Sequence, residues 1–247
     1  MHRDLELAMQ LAGVADRIAM RYFRSASLLI ETKEDRTPVS EADLLIEREL
    51  RQRIAAVHPD DAIFGEEYGV RGTSSRRWII DPIDGTKNFI RGIPVFATLI
   101  ALEDVAGVVS APALGRQWYA ARGEGAFCNG TRLHVSKIAT IEEAHLTYDS
   151  ITDFDTHGGT DAFLKLTRDC WRSRGFGDFW SHMMVAEGAV EIAIEPAVAA
   201  WDMAPVKIII EEAGGRFTDL RGRATIEGGS ALSTNGLLHD QVLERFA

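Results

Sequence analysis

Trp78-Ile79-Ile80-Asp81-Pro82-Ile83-Asp84-Gly85-Thr86-Lys87-Asn88-Phe89 is the stretch from which the fold is read. The apolar run Trp78-Ile79-Ile80 predicts a strand that carries Asp81 to a sheet edge. Pro82 fixes φ and has no N–H to donate. Asp84 follows in a turn that Gly85 closes with backbone angles most residues avoid. Two carboxylates and the Ile83 carbonyl between them can then converge on one point. Carboxylate and carbonyl oxygens are the hard ligands that suit Mg²⁺. The same residues also read as an ordinary turn, because Asp, Pro and Gly all favour turns.

Upstream, Ala62-Ile63-Phe64 predicts a short strand that runs into Gly65-Glu66-Glu67. Glu66 could bridge two cations, and two metals ~3.5–4 Å apart stabilise both the attacking and the leaving oxygen of a phosphoryl transfer. Adjacent acids are also the usual mark of a solvated face. Asp43 stands three residues after Ser40, where its ordinary role is a capping box. Asp202 follows Trp201 just before a predicted helix, where a carboxylate is a common N-cap favoured by the helix dipole. Each reading is ordinary alone; the combination is not.

Around these acids the chain changes texture. Apolar residues Leu5, Met9, Ala12, Ala15, Ala19 and Phe23 recur at helical spacing over 4–24, and 44–57 reads as a second amphipathic helix. Strand-like runs at 95–102, 105–111 and 117–121 follow, with hairpin turns at 123–125 and 128–130. From about residue 134 strands (144–149, 190–194, 216–219, 231–233) alternate with helices (161–170, 179–187, 204–213, 237–246). The pattern predicts an α+β half over 1–133 joined to an α/β half over 134–247.

The 247 residues carry 27 basic and 37 acidic side chains, a formal charge of −10, with 46% hydrophobic content. That composition excludes a disordered chain. The negative charge argues against nucleic-acid and anionic-membrane partners, which are bound through Lys and Arg. Cys128 and Cys170 form neither a disulfide framework nor a metal motif, and read as buried reduced thiols of a cytoplasmic protein. The N-terminal segment carries acids where a signal peptide needs bases, and no apolar run reaches the ~18–20 residues that cross a bilayer. There is no HExxH, GxSxG or Walker A arrangement. His182 reads as a packing residue, and Trp118 and Trp180 as core or interface aromatics that could also stack on a ring.

The block Trp78 to Phe89, with Gly65-Glu66-Glu67, Trp201-Asp202-Met203-Ala204 and Glu212-Ala213-Gly214-Gly215, resembles the inositol monophosphatase family of metal-dependent phosphatases. Order and spacing match along nearly the whole chain. The resemblance implies an αβαβα layered sandwich, a homodimer, and two or three Mg²⁺ per active site. It implies that Glu66, Asp81 and the Ile83 carbonyl hold one ion, and Asp81, Asp84 and Asp202 a second. It gives Glu66 the nucleophilic water, with Thr86 and Asp43 polarising it, and Gly85 and Thr86 amides the phosphate oxygens. The C-terminal half would then supply specificity and one metal ligand. The implied reaction is direct attack by water on a small phosphate ester.

For the leaving group, Arg172-Ser173-Arg174-Gly175-Phe176-Gly177-Asp178-Phe179 is the segment to read. Asp178 at a helix start suits a cationic leaving group, or is an N-cap. With Arg91 to Val95, Ser110 to Leu114 and Ser233 to His239, the segment looks most like the family's bacterial histidinol-phosphate phosphatases, which act in histidine biosynthesis. That likeness makes Asp178 and Glu195 contacts to the amino or imidazole end of histidinol, with Asp202 near the substrate. Arg174 could contact the phosphate or satisfy a local acid. The alternative is an inositol-1-phosphate or broad sugar-phosphate phosphatase of the same family.

Overall fold

The computed structural model describes residues 2–33 and 37–246. Among the described residues the strands form three sheets, of two, eight and five strands. The chain opens with α1 (Arg3–Tyr22), the hairpin β1 (Ile30–Thr32) and β2 (Pro38–Ser40), and α2 (Glu41–Val57). The large sheet comprises β3 (Ala62–Gly65), β4 (Gly69–Arg71), β5 (Arg77–Asp84), β6 (Ala97–Leu102), β7 (Ala106–Ala111), β8 (Arg116–Ala121), β9 (Gly125–Cys128) and β10 (Thr131–Arg132). Between β5 and β6 lies α3 (Thr86–Ile90). The strand order is β10-β9-β8-β7-β6-β5-β3-β4, and β3 runs parallel to β5.

The second half supplies β11 (His145–Tyr148), α4 (Ile151–His157), α5 (Thr160–Asp169), β12 (Arg172–Gly175), α6 (Asp178–Ala186), β13 (Ile192–Glu195), α7 (Ala200–Glu212), β14 (Arg216–Thr218), β15 (Ala231–Thr234) and α8 (His239–Leu243). Its sheet is ordered β12-β11-β13-β15-β14.

Apolar patterning dictates how these elements stack. Leu5, Leu11 and Ala15 of α1 and Ile46, Leu50 and Ile54 of α2 bury against Ile80, Ile100 and Val108 on one face of the large sheet. On its other face Leu99, Val109 and Trp118 pack on Met183 of α6 and on Val206 and Ile209 of α7. The far side of the second sheet, through Leu146, Ile192 and Ile194, is covered by Phe154, Phe163, Leu166 and Val242. Five layers result, αβαβα, with α6 and α7 between two sheets. This position explains why α7 is apolar nearly all round, and why every residue of β6 and β7 is buried instead of alternating. At Gly107 a Cβ would lie 2.7 Å from Ile208 Cγ2 and 2.8 Å from Pro205 Cα, so glycine lets α7 lie directly on β7.

Several local expectations are corrected. β5 is an interior strand, flanked by β3 and β6, so Asp81 is not at a sheet edge. The strand also continues to Asp84, with the irregularity expressed as a shift in register against β6 between Asp81 and Asp84. Asp202 is not an N-cap: the helix starts at Ala200, Ala199 caps it, and the Ala199 N–H donates to Asp202 Oδ2 at 2.7 Å. Asp178 likewise sits one residue inside α6, with Gly177 as the cap. The last helix is shorter than 237–246, and α3 and α4 were not legible as helices. Among the described residues no helix is long and apolar enough to cross a membrane.

Candidate active site

β5 brings Asp81 and Asp84 to the end of the strand where β3 stops. The β3–β5 ladder continues one residue past β3, with the Glu66 N–H donating to the Ile80 carbonyl at 3.2 Å. Glu66 is therefore aligned with the start of the Asp81 segment. From the opposite layer, the first turn of α7 delivers Asp202. One carboxylate oxygen each from Asp81, Asp84 and Asp202 lie within 4.8 Å of one another.

Burial makes this group costly as bare charge. Asp81 is 2% exposed and its Oδ1 has no hydrogen-bond partner among the described residues. Its pKa is pushed up by burial first and then by Glu66, Asp84 and Asp202. Asp84 is raised by burial and by Asp178 and Asp202, against which the Phe179 N–H pulls down. Asp202 is pushed up to about 7, again chiefly by burial. Convergent carboxylates with an orphaned oxygen are what a divalent cation needs, and a cation would relieve both desolvation and repulsion. The donor set fits a hard metal ion of the Mg²⁺ kind.

The other predicted residues gather around it. Gly85 caps α3 with φ +80°, and a Cβ there would lie 2.9 Å from the Val95 carbonyl oxygen. The Thr86 hydroxyl donates to the Ile83 carbonyl at 3.0 Å, not to Asp43. Asp43 does form the capping box: its Oδ2 accepts from Ser40 N at 2.9 Å and Ser40 Oγ at 2.6 Å. Its Oδ1 is buried without a partner among the described residues, and the group is pushed up to about 6 by burial. A cleft of about 340 Å³ opens here, lined by Glu66, Gly85, Thr86, Asn88, Asp149 and Asp178 among others.

Asp178 is pushed up to about 7, by burial and then by Asp149 and Glu195, and its Oδ2 accepts from Asn88 Nδ2 at 2.9 Å. Glu195, at the end of β13, is 6% exposed and adds to the charge felt by Asp84, Asp149 and Asp202. Arg174 is the exception among the predicted residues: it is exposed on the edge strand β12, opposite Thr147, and is not among the cleft's lining. Trp118 is fully buried, its Nε1 donating to Glu187 Oε1 at 2.5 Å, and Trp180 packs on Phe176 with centroids 5.4 Å apart.

Four residues escaped the sequence reading. Asp149, at the end of β11, lines the cleft beside Asp178 and is pushed up to about 6 by burial and by Glu195. Asn88 orients Asp178. The Lys33 ammonium lies 2.8 Å from Glu66 Oε1 and 2.7 Å from Glu67 Oε1. Burial pushes Glu67 up to about 7 in spite of that ammonium. Glu47 of α2 is fully buried, and its carboxylate accepts from the backbone N–H groups of Glu67 at 2.7 Å and Tyr68 at 3.1 Å. Only Asn88 stood in a stretch that already pointed to function; the others are placed by contacts distant in sequence.

The fold and acids define a class. The family model described as the inositol monophosphatase family matches residues 1–247. The chain belongs to that family of metal-dependent phosphatases, and it is a phosphatase. It is 50% identical over 254 residues to a histidinol-phosphatase of Mycobacterium tuberculosis, covering 99% of this chain and 98% of that one. It is 49% identical to a histidinol-phosphatase of Streptomyces coelicolor, covering 97% and 95%. The solved inositol monophosphatase of Zymomonas mobilis superposes with a TM-score of 0.87 at 30% identity, covering 98% of this chain and 96% of the other.

Proposed function

We propose that this protein is a Mg²⁺-dependent histidinol-phosphatase, hydrolysing L-histidinol phosphate to L-histidinol and phosphate in histidine biosynthesis. The observation that carries the reading is the excess of acid over what a metal needs. Beyond the Asp81, Asp84 and Asp202 group, the cleft carries Asp178 and Asp149, with Glu195 acting on both. Lys87 also lines the cleft and pulls down both Asp149 and Asp178, but the acids outnumber it, which favours a leaving group that bears an ammonium or imidazolium. The relatives at 49–50% identity support the same substrate.

In this reading Asp81, Asp84, Asp202, Glu66 and the Ile83 carbonyl hold two or three Mg²⁺. When bound, the ions supply charge that lowers the pKa of water and neutralises phosphoryl oxygens. Glu66 accepts a hydrogen bond from the attacking water and orients it. The Thr86 hydroxyl turns from the Ile83 carbonyl to accept from that water, and the open Oδ1 of Asp43 is the acceptor its own proton then needs. Gly85 and Thr86 amides hold phosphate oxygens, Asp202 lies near the leaving oxygen, and Asp178, Glu195 and Asp149 bind the cationic end. Residues 1–133 supply most of the metal site and 134–247 the specificity. The protein works in the cytoplasm as a homodimer.

Phosphate release from L-histidinol phosphate, inositol 1-phosphate and fructose 1,6-bisphosphate, side by side at saturating Mg²⁺, tests this. A preference of ~100-fold or more in kcat/KM for histidinol phosphate, about 2.7 kcal/mol of transition-state binding, is expected. A flat profile, or a preference for inositol phosphate, keeps the metal chemistry and discards the substrate.

A further inference from the structure

His182 is the least expected residue near this site. It lies on α6 four residues after Asp178, which lines the cleft at the start of that helix. The sequence alone gives it a packing role. In the structure it is fully buried and sits between two polar partners from neighbouring strands of the second sheet. Its Nδ1 lies 2.7 Å from Ser233 Oγ of β15, and its Nε2 lies 3.3 Å from Glu195 Oε1 of β13. β13 and β15 are hydrogen-bonded neighbours, with Ala193 opposite Ser233. Ser233, like His182, is fully buried.

The second contact is close but incomplete. His182 Nε2 and Glu195 Oε1 are both buried without a well-aligned hydrogen bond among the described residues, although they face each other at ion-pair distance. A buried carboxylate oxygen and a buried ring nitrogen are each costly if left unmade. A neutral imidazole resolves this in one way: Ser233 donates to Nδ1, which leaves the proton on Nε2, pointed at the carboxylate. The opposite tautomer would set a lone pair against a carboxylate.

We propose that His182 is a positioning residue for Glu195, held in the Nε2–H tautomer by Ser233, and that this Ser233–His182–Glu195 chain sets the preference for a cationic leaving group. The proposal rests on the reading that Glu195 faces that group. A hydrogen bond from His182 fixes one carboxylate oxygen and restricts the rotation of the other.

The test compares wild type, His182→Met, His182→Gln, Ser233→Ala, Glu195→Gln and the His182→Met/Glu195→Gln double variant. The readout is kcat and KM for L-histidinol phosphate against glycerol 2-phosphate, a neutral ester, with thermal melts to establish folding. His182→Met is expected to lower the histidinol phosphate to glycerol 2-phosphate ratio of kcat/KM about tenfold, the weight of one hydrogen bond to a charged group, mainly through KM. His182→Gln, which keeps a donor, recovers part of the ratio, and Ser233→Ala lowers it in the same direction by less. Added to Glu195→Gln, His182→Met costs no further selectivity, because the two act as one unit.

Equal losses on both substrates, or selectivity losses that add in the double variant, overturn the role of His182. Where His182→Met does not fold, His182→Gln and Ser233→Ala decide: both at the wild-type ratio overturns the proposal. If Glu195→Gln itself leaves the ratio unchanged, it is the reading of Glu195 that falls, and the two failures are thereby distinguished.

Discussion

The backbone N–H of Phe179 donates to Oδ2 of Asp84 at 2.7 Å, so the acid cluster at the end of β5 and the helix that carries Asp178 are joined by one hydrogen bond. In the function proposed above, this bond ties the metal-binding acids to the helix that faces the leaving group. Asp84 also raises the pKa of Asp81 by its charge, so its substitution separates charge from shape.

Asp84→Asn keeps an oxygen for the Phe179 N–H and removes one negative charge from the buried group. It is expected to abolish turnover and, in thermal melts, the rise in Tm that Mg²⁺ gives the parent. In EDTA its Tm is expected to equal or exceed that of the parent, since one repelling carboxylate is gone. Normal turnover in this variant would remove Asp84 from the metal site.

The metal-free protein is expected to lose stability as pH rises from about 4 to about 7. Burial pushes Asp43 and Asp149 up to about 6 and Asp178 and Asp202 up to about 7, and Asp81 and Asp84 rise in the same direction. In the unfolded chain these carboxyls titrate near 4. Between the two values the native state binds more protons than the unfolded one, so the stabilisation present at low pH is lost through this window. Denaturant unfolding in EDTA at pH 5, 6, 7 and 8 should show the decline. In the function proposed above Mg²⁺ is held by the ionised acids, so adding it should flatten or reverse the decline. A stability that rises with pH in EDTA would contradict the electrostatics described above.

The acids were legible as a set through the resemblance to the inositol monophosphatase family, because the local run alone also reads as an ordinary turn. Asp81, Ile83, Asp84 and Gly85 lie in one run, and Asp202 occupies a helix start whose neighbours are equally distinctive. Alternating α and β patterns and the apolar runs conveyed most of the individual elements, though not that β5 is interior, because strand order is set by partners far along the chain. The same limit hid Glu47 and Asp149. Glu47 has the pattern of an exposed helix acid, yet a loop twenty residues on folds over it. Asp149 reads as the polar end of a strand until α6 closes beside it. Asp202 as an N-cap was a natural misreading, since an acid at the third position of a helix serves the same backbone from inside.

Glu47 gives the last prediction. Its fully buried carboxylate accepts from Glu67 N, Tyr68 N and Arg51 Nε, the last at 2.7 Å, and so clamps the turn that presents Glu66. Gly65 carries no side chain where a Cβ would collide with that carboxylate. Glu47→Gln keeps the size but replaces one acceptor oxygen by an NH₂ group, which must face either a backbone N–H or the Arg51 guanidinium. The loss of hydrogen bonds to a buried charged group should cost about 1.5–3 kcal/mol, read as a lower midpoint in urea unfolding with an unchanged slope. Because Glu66 hangs from the same turn, kcat should fall and the Mg²⁺ concentration needed for half-maximal activity should rise, while the histidinol phosphate to glycerol 2-phosphate ratio stays that of the parent. A variant with the parent's stability and metal requirement would show that the turn holds its shape without Glu47.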